Sequence, residues 1–342
     1  TFHLKKMFDL ESGSSLPELH LHYSTYGKIN KDRSNVIWVC HAFSGSSDFT
    51  QWWPGLFGKG RLYDPDRHFV ICANMPGGCY GSTGPLSVNP ETGKKYYHDF
   101  PFLTNRDMVN SYELLRQHLG INKIHTVIGC SMGGQHAIEW AVQQPDLFDH
   151  MVAIGANAKH SPWGIAFNES QRMAIEADDT WKIDRDDAGS QGMKAARAVG
   201  LLSYRNYVCY ERKQSEETDE KFDDYKAASY QQYQGLKITK RFNAFSYWYL
   251  SKAMDSQNIG RGRGGIEKAL KRIKAKSLFI GIDNDILFPV IEQKYLTNHV
   301  ENGTYRELDS FYGHDGFLLE FDKLTDTINS FYSEPTMKRH IA

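Results

Sequence analysis

Cysteine is scarce in this chain of 342 residues: the five present are odd in number and show no C-x-x-C pair. That spacing excludes a disulfide framework and supports no metal site, so free thiols in a reducing, cytoplasmic setting are expected. Long apolar runs are missing as well. No stretch approaches the roughly 20 residues of a membrane span, and no secretory leader pattern opens the chain. An excess of either charge is absent too, since 40 basic against 41 acidic side chains leave a formal net charge of −1. A nucleic-acid partner is therefore not expected. No internal repeat is apparent. With 40% hydrophobic residues the chain can bury a large core, as one α/β domain with an insertion or as two closely joined units.

What is present is a set of short, nearly continuous apolar runs: residues 35–40, 68–73, 126–129, 151–154 and 277–282. Little alternation within them marks strands covered on both faces. Amphipathic helical patterns at 105–118, 132–144 and 315–331 separate them, which predicts a mostly parallel α/β sheet flanked by helices. The alternation breaks between about 160 and 272, a helical, polar region that includes the charged stretch Lys213–Lys221. Such an insertion between core strands reads as a helical lid (160–272) on an α/β-hydrolase-like core (1–159 and 273–342), and its charge run as a solvated face.

The third strand runs into Gly129-Cys130-Ser131-Met132-Gly133 and then a helix, the pattern of a nucleophile elbow. A serine on so tight a turn needs neighbours without bulk. Its base and orienting acid follow later in the order Ser, Asp, His. Asp285, four residues before Pro289 in the loop after 277–282, is the expected acid, with Asp283 as its rival and a loop-shaping residue otherwise. His314, between Gly313 and Gly316 after a candidate strand 304–308, is the expected base. The oxyanion hole is expected from the N–H groups of Met132 and of Phe43, the latter in the loop His41-Ala42-Phe43-Ser44-Gly45-Ser46.

These blocks, with Gly78-Cys79-Tyr80-Gly81-Ser82-Thr83-Gly84-Pro85, Ala166-Phe167-Asn168-Glu169, Gly260–Gly265 and Tyr312-Gly313-His314-Asp315-Gly316-Phe317-Leu318, together resemble the homoserine O-acetyltransferases of methionine biosynthesis. They span about residues 15–330 in the family's order. Two departures stand beside the acyl site: Phe43 where leucine is usual and Cys130 where glycine is common. The resemblance implies a cytoplasmic homodimer that uses acetyl-CoA as co-substrate and L-homoserine as acceptor, with no tightly bound cofactor. It leaves open a succinyl donor, a serine acceptor or an esterase on the same triad.

An acceptor with an α-carboxylate and an α-ammonium needs a cation and an anion. Arg205, in a stretch similar to the family's lid segment, and Asp315, beside the base, are the expected pair, with Arg172 a weaker alternative to Arg205. Arg261 and Arg263, among glycines, read either as contacts to CoA phosphates or as parts of a structural turn. The glycine-rich block 76–85 is expected to wall the pocket.

Overall fold

Side chains in the apolar runs alternate between two cores, which is what a sheet covered on both faces demands. In the computed structural model, which describes residues 1–335, the main strands are β1 (Tyr23–Tyr26), β2 (Val36–Cys40), β3 (Phe69–Ala73), β4 (Ile124–Cys130), β5 (Phe148–Ile154), β6 (Lys276–Ile282) and β7 (Gly303–Leu308). They form one sheet in the order β7-β6-β5-β4-β2-β3-β1, parallel throughout except for the antiparallel edge strand β1. In β2, Val36, Trp38 and Cys40 enter one core while Ile37 and Val39 enter the other. Each buried aliphatic side chain there contributes about 1.5–3 kcal/mol relative to exposure.

The chain passes from β2 outward to β3, then crosses back to lay β4 on the other side of β2. Loops leaving the C-terminal ends of β2 and β4 diverge at this switch point, and the crevice between them is where open α/β sheets bind ligands. The crossover carries α1 (Asn105–His118). Its start is set by a reciprocal cap: Asp107 N–H donates to Thr104 Oγ1 (3.3 Å), and Thr104 N–H donates to Asp107 Oδ2 (2.8 Å). Helix α2 (Met132–Gln143) follows β4 directly.

Between β5 and β6 lie the helices α3 (Pro162–Glu176), α4 (Ser190–Tyr204), α5 (Tyr207–Gln214), α6 (Lys226–Thr239) and α7 (Ala244–Asp255). The chain leaves and rejoins the core side by side: His160 N–H donates to Gln257 O and Ile259 N–H to Ala158 O, each at 3.0 Å. The residues of Lys213–Lys221 are mostly exposed.

After β6 come α8 (Val290–His299), β7 and α9 (Phe321–Ser333). The helix expected over 315–331 is split. Residues Gly313–Leu318 form a 3₁₀ stretch in which Gly313 to Phe317 are all buried, and α9 begins only at Phe321. One-face burial starts there, with Leu324, Ile328 and Phe331 inward; the preceding segment is buried all round because it carries His314 into the interior. Among the described residues no helix is long and apolar enough to cross a membrane.

Candidate active site

Ser131 stands where β4 turns into α2, and its backbone has φ 55° and ψ −126°, a left-handed conformation that costs a non-glycine residue of order 1–3 kcal/mol. The neighbours make that turn possible. A Cβ on Gly129 would lie 2.2 Å from Gly133 O, and one on Gly133 would lie 2.1 Å from Cys40 O. A side chain at 129 would push the start of α2 off β4, and one at 133 would push it off the end of β2. Ser131 N–H donates to Ile154 O (2.9 Å), which ties the elbow to β5, and Gln135 N–H donates to Ser131 O (3.0 Å) to begin the helix.

Asp285 and His314 come from the loops after β6 and β7 and meet in the buried interior, Asp285 Oδ2 2.6 Å from His314 Nδ1. The other carboxylate oxygen, Oδ1, accepts the N–H groups of Leu287 and Phe288, both at 2.8 Å. Three acceptor contacts thus fix the carboxylate. The imidazole is held in turn by Phe288, stacked with ring centroids 5.1 Å apart, and by Phe317, edge-on at 5.2 Å. Its Nε2 is buried and has no hydrogen-bond partner, while the ring lines the same cavity as Ser131. Asp283 is elsewhere. Its Oδ1 accepts Ser310 N–H at 3.1 Å, so it shapes the loop instead of meeting the imidazole.

As the first residue of α2, Met132 has an N–H without an intrahelical acceptor. Phe43 lies inside the turn Ala42–Gly45, closed by Gly45 N–H to Ala42 O at 2.8 Å, and Ala42, Phe43 and Ser44 all line the cavity. His41 braces this turn, a role its sequence setting did not reveal. Met75 N–H donates to His41 Nε2 (3.1 Å), so the ring proton sits on Nδ1 and donates to Ala42 O (2.8 Å). Burial lowers the His41 pKa to about 4, against the opposing effect of the Ala42 bond, and keeps the ring neutral. Arg241 adds a second brace, donating to Ser44 O and to Tyr80 Oη, each at 2.6 Å.

The cavity is narrow, about 90 Å³, and besides Ser131, His314 and the Phe43 loop it is lined by Arg197, Tyr204, Met254, Leu287 and Asp315. Arg197 was not among the residues singled out from sequence. It sits seven positions before Tyr204 on α4, hence on the same helical face, with its guanidinium 5.0 Å from the Tyr204 ring centroid. Among the described residues it forms no ion pair. Arg205, the cation expected from sequence, does not line this cavity. At the C-cap of α4 its backbone turns extended (φ −109°, ψ −171°), and its side chain reaches Asp315 from behind, Nη2 to Oδ2 3.2 Å. It borders a neighbouring cavity with Cys209, Tyr210, Lys213 and Tyr230. The structure therefore brings Asp315 to the site and replaces Arg205 with Arg197 as the cation on its wall.

Other sequence expectations are redirected by packing. Arg172 is buried and saturated by Glu169 and Asp255, each at 2.6 Å, with Ser251 Oγ at 3.1 Å, so it anchors α3 to α7. Arg261 pairs with Glu11 (2.7 Å) and Arg263 with Glu139 (2.5 Å), so both guanidiniums tie their loop to the rest of the chain. The glycine-rich block contributes nothing to the cavity wall. It folds on itself through Gly77 N–H to Thr83 O (2.7 Å), and braces the site indirectly through Asn74, whose side chain joins Tyr80 O to Ser47 N–H. Cys130 also lies outside the cavity: strand alternation sends its side chain into the second core with Ile128 and Ile154, so of the two departures only Phe43 faces the acyl site.

This arrangement has close counterparts. The alpha/beta hydrolase fold family model matches residues 35–321. A homoserine O-acetyltransferase of Cyclobacterium marinum is 52% identical over 333 residues, covering 97% of this chain and 95% of its own. One from Chlorobium luteolum is 40% identical over 327 residues, with 95% and 91% covered. Of solved structures, the homoserine O-acetyltransferase from Bacillus anthracis superposes with a TM-score of 0.90 at 25% identity, over 99% of this chain and 98% of that one. Esterase E22 superposes with a TM-score of 0.87 at 26% identity, over 96% and 98%. Identity of 52% along nearly the whole length, joined to the elbow and the buried Asp–His pair, leads to one assignment: the chain is an acyltransferase enzyme that belongs to the homoserine O-acetyltransferase family within the α/β-hydrolase fold.

Proposed function

We propose that this enzyme transfers the acetyl group of acetyl-CoA to the side-chain hydroxyl of L-homoserine by a two-step course through an acyl-serine. The observation that carries this reading is one narrow cavity lined at once by Ser131, by His314 with its unpartnered Nε2, and by the oppositely charged Arg197 and Asp315. A zwitterionic acceptor needs both signs beside the nucleophile.

In the first step His314 Nε2 takes the proton of Ser131 Oγ as that oxygen attacks the thioester carbonyl. The N–H groups of Met132 and Phe43 stabilise the tetrahedral oxyanion, and Asp285 holds the imidazole tautomer and stabilises its charged form. CoA leaves as the thiol, taking the proton from His314. In the second step homoserine binds with its carboxylate on Arg197 and its ammonium on Asp315. His314 removes its hydroxyl proton, the oxygen attacks the acyl-serine, and collapse restores Ser131 Oγ–H. Arg205 acts here only by orienting Asp315.

Water at about 55 M competes with the acceptor for the acyl-serine, so a narrow cavity under helices favours transfer by limiting access and fixing the acceptor in line. A hydrolase remains the second reading because esterase E22 superposes closely. Thiol release from acetyl-CoA, followed with and without homoserine, separates the two. Release that depends on homoserine supports the transferase; equal release without it identifies a hydrolase. Repeating the assay with succinyl-CoA and with serine tests the donor and acceptor.

A further inference from the structure

Outside the catalytic cavity, the N-terminal strand Phe2–Leu4 pairs antiparallel with Leu19–Leu21, and the register sets His3 directly opposite His20. Phe2, Leu19 and Leu21 turn into the core, so alternation leaves both histidines on the outer face, joined there by Glu18 two residues before His20. The imidazoles stack with centroids 3.7 Å apart and planes at 23°. Nε2 of His3 lies 2.8 Å from Glu18 Oε2, and Nε2 of His20 lies 3.3 Å from Glu18 Oε1. One ligand-capable atom from each of the three residues falls within 4.8 Å of the others, and all three are half-buried.

We propose that His3, Glu18 and His20 form a binding site for a divalent first-row transition ion, for which Zn²⁺ is the matched probe. Ligand bonds of about 2.0–2.2 Å place neighbouring donor atoms roughly 2.8–3.6 Å apart, from octahedral to tetrahedral angles. The His3–Glu18 and His20–Glu18 separations, one to each carboxylate oxygen, fall in that interval, and the stacked rings turn apart about their side-chain torsions to aim both Nε2 lone pairs at one ion. Two imidazoles and a carboxylate suit Zn²⁺, Ni²⁺ or Cu²⁺, whereas Mg²⁺ and Ca²⁺ favour oxygen alone. Each imidazole must offer the Nε2 lone pair, so its remaining proton resides on Nδ1 and any second proton is released to solvent. Water completes the coordination shell at this half-exposed position.

The site would clip the N-terminal strand to a neighbour that already braces the glycine-rich loop. His20 N–H donates to Thr83 Oγ1 (2.8 Å), Thr83 N–H donates to His20 O (2.9 Å), and His22 N–H donates to Ser82 Oγ (3.1 Å). Titration of the purified protein with Zn²⁺ by calorimetry, and with Co²⁺ by its visible absorption, tests this directly. One ion per chain is expected, with His3→Ala and His20→Ala each weakening binding about tenfold or more. Circular dichroism and acyl transfer should be unchanged in both variants, since neither residue touches the cavity. Absence of uptake up to about 1 mM Zn²⁺, or a His3→Ala/Glu18→Gln/His20→Ala variant that binds with unchanged stoichiometry and affinity, would overturn the assignment.

Discussion

Arg197→Ala is the substitution that most sharply divides the two arginines of α4 and its C-cap. Arg197 lies on the cavity wall with no ion-pair partner among the described residues, so truncation orphans no carboxylate there and removes, besides its packing on the Tyr204 ring, only what the guanidinium does for a ligand. A charge-assisted contact to a carboxylate is worth about 1.5–3 kcal/mol, which corresponds to roughly tenfold to 150-fold in kcat/KM for homoserine. In the proposed course acylation of Ser131 by acetyl-CoA precedes homoserine binding, so that step should be nearly untouched. Rapid mixing should thus show a normal burst of thiol release beside a raised homoserine KM in the steady state. Arg197→Lys should recover only part of the loss, because an ammonium lacks the planar fork. Arg205→Ala is expected to behave differently: it strips Asp315 of its 3.2 Å partner at a partly buried position, lowering stability by about 1–3 kcal/mol and loosening the acceptor site only through Asp315. A normal homoserine KM in Arg197→Ala, with a selectively raised one in Arg205→Ala of unchanged stability, would refute the reasoning and return the carboxylate to Arg205.

Ser131→Ala should cut transfer by about 10⁴-fold or more with an unchanged circular dichroism spectrum, because only a hydroxyl is lost; near-normal turnover would remove the acyl-serine from the mechanism. Asp285→Asn should lower kcat by about 10²- to 10⁴-fold through loss of imidazolium stabilisation, while Asp283→Asn, in a loop bond to Ser310, should do far less in the same steady-state assay. Glu292 supplies a test by pH. Burial raises its pKa to about 7 against the opposing Asn157 hydrogen bond, and the nearby Asp285 carboxylate adds to the rise. The folded state therefore keeps a proton that the unfolded chain loses near pH 4.3, and stability falls between about pH 4.3 and 7, by up to about 4 kcal/mol. Glu292→Gln removes that loss and can still accept from Asn157, so denaturant titrations should find it more stable than the parent at pH 8 and similar at pH 4; an advantage that does not change with pH would contradict this account.

The contrast between Ser131 and Arg197 explains how much was legible before folding. A nucleophile on a tight turn leaves a local trace, since steric contact of Gly129 with Gly133 and of Gly133 with Cys40 restricts the residues around it. Strands β2 to β6 were equally visible, because burial on both faces writes a continuous apolar run. The edge strand β1, Tyr-Ser-Thr-Tyr, is partly exposed and carries no such run, so its pairing with β3 was hidden. Arg197 and Arg205 are both basic residues of one segment between β5 and β6, and composition cannot tell them apart. The end of a helix separates them: α4 holds Arg197 on the face of Tyr204, while the extended C-cap at residue 205 swings the next arginine behind Asp315.

The same limit applied to the glycine-rich block and to Cys130. Both adjoin site residues in the chain, but one folds onto itself and the other points through the sheet into the opposite core. His3 and His20 show the limit from the other side, because no local spacing announces a ligand pair that exists only once two strands take register. Proximity in sequence is thus a guide to chemistry only where one turn of backbone fixes direction, as it does at Ser131. Everywhere else at this site the direction comes from tertiary packing. Asp285 meets His314 because two amides of its own loop pin one carboxylate oxygen and leave the other to the imidazole, and Asp283, two residues earlier and of the same chemistry, is turned away by its bond to Ser310.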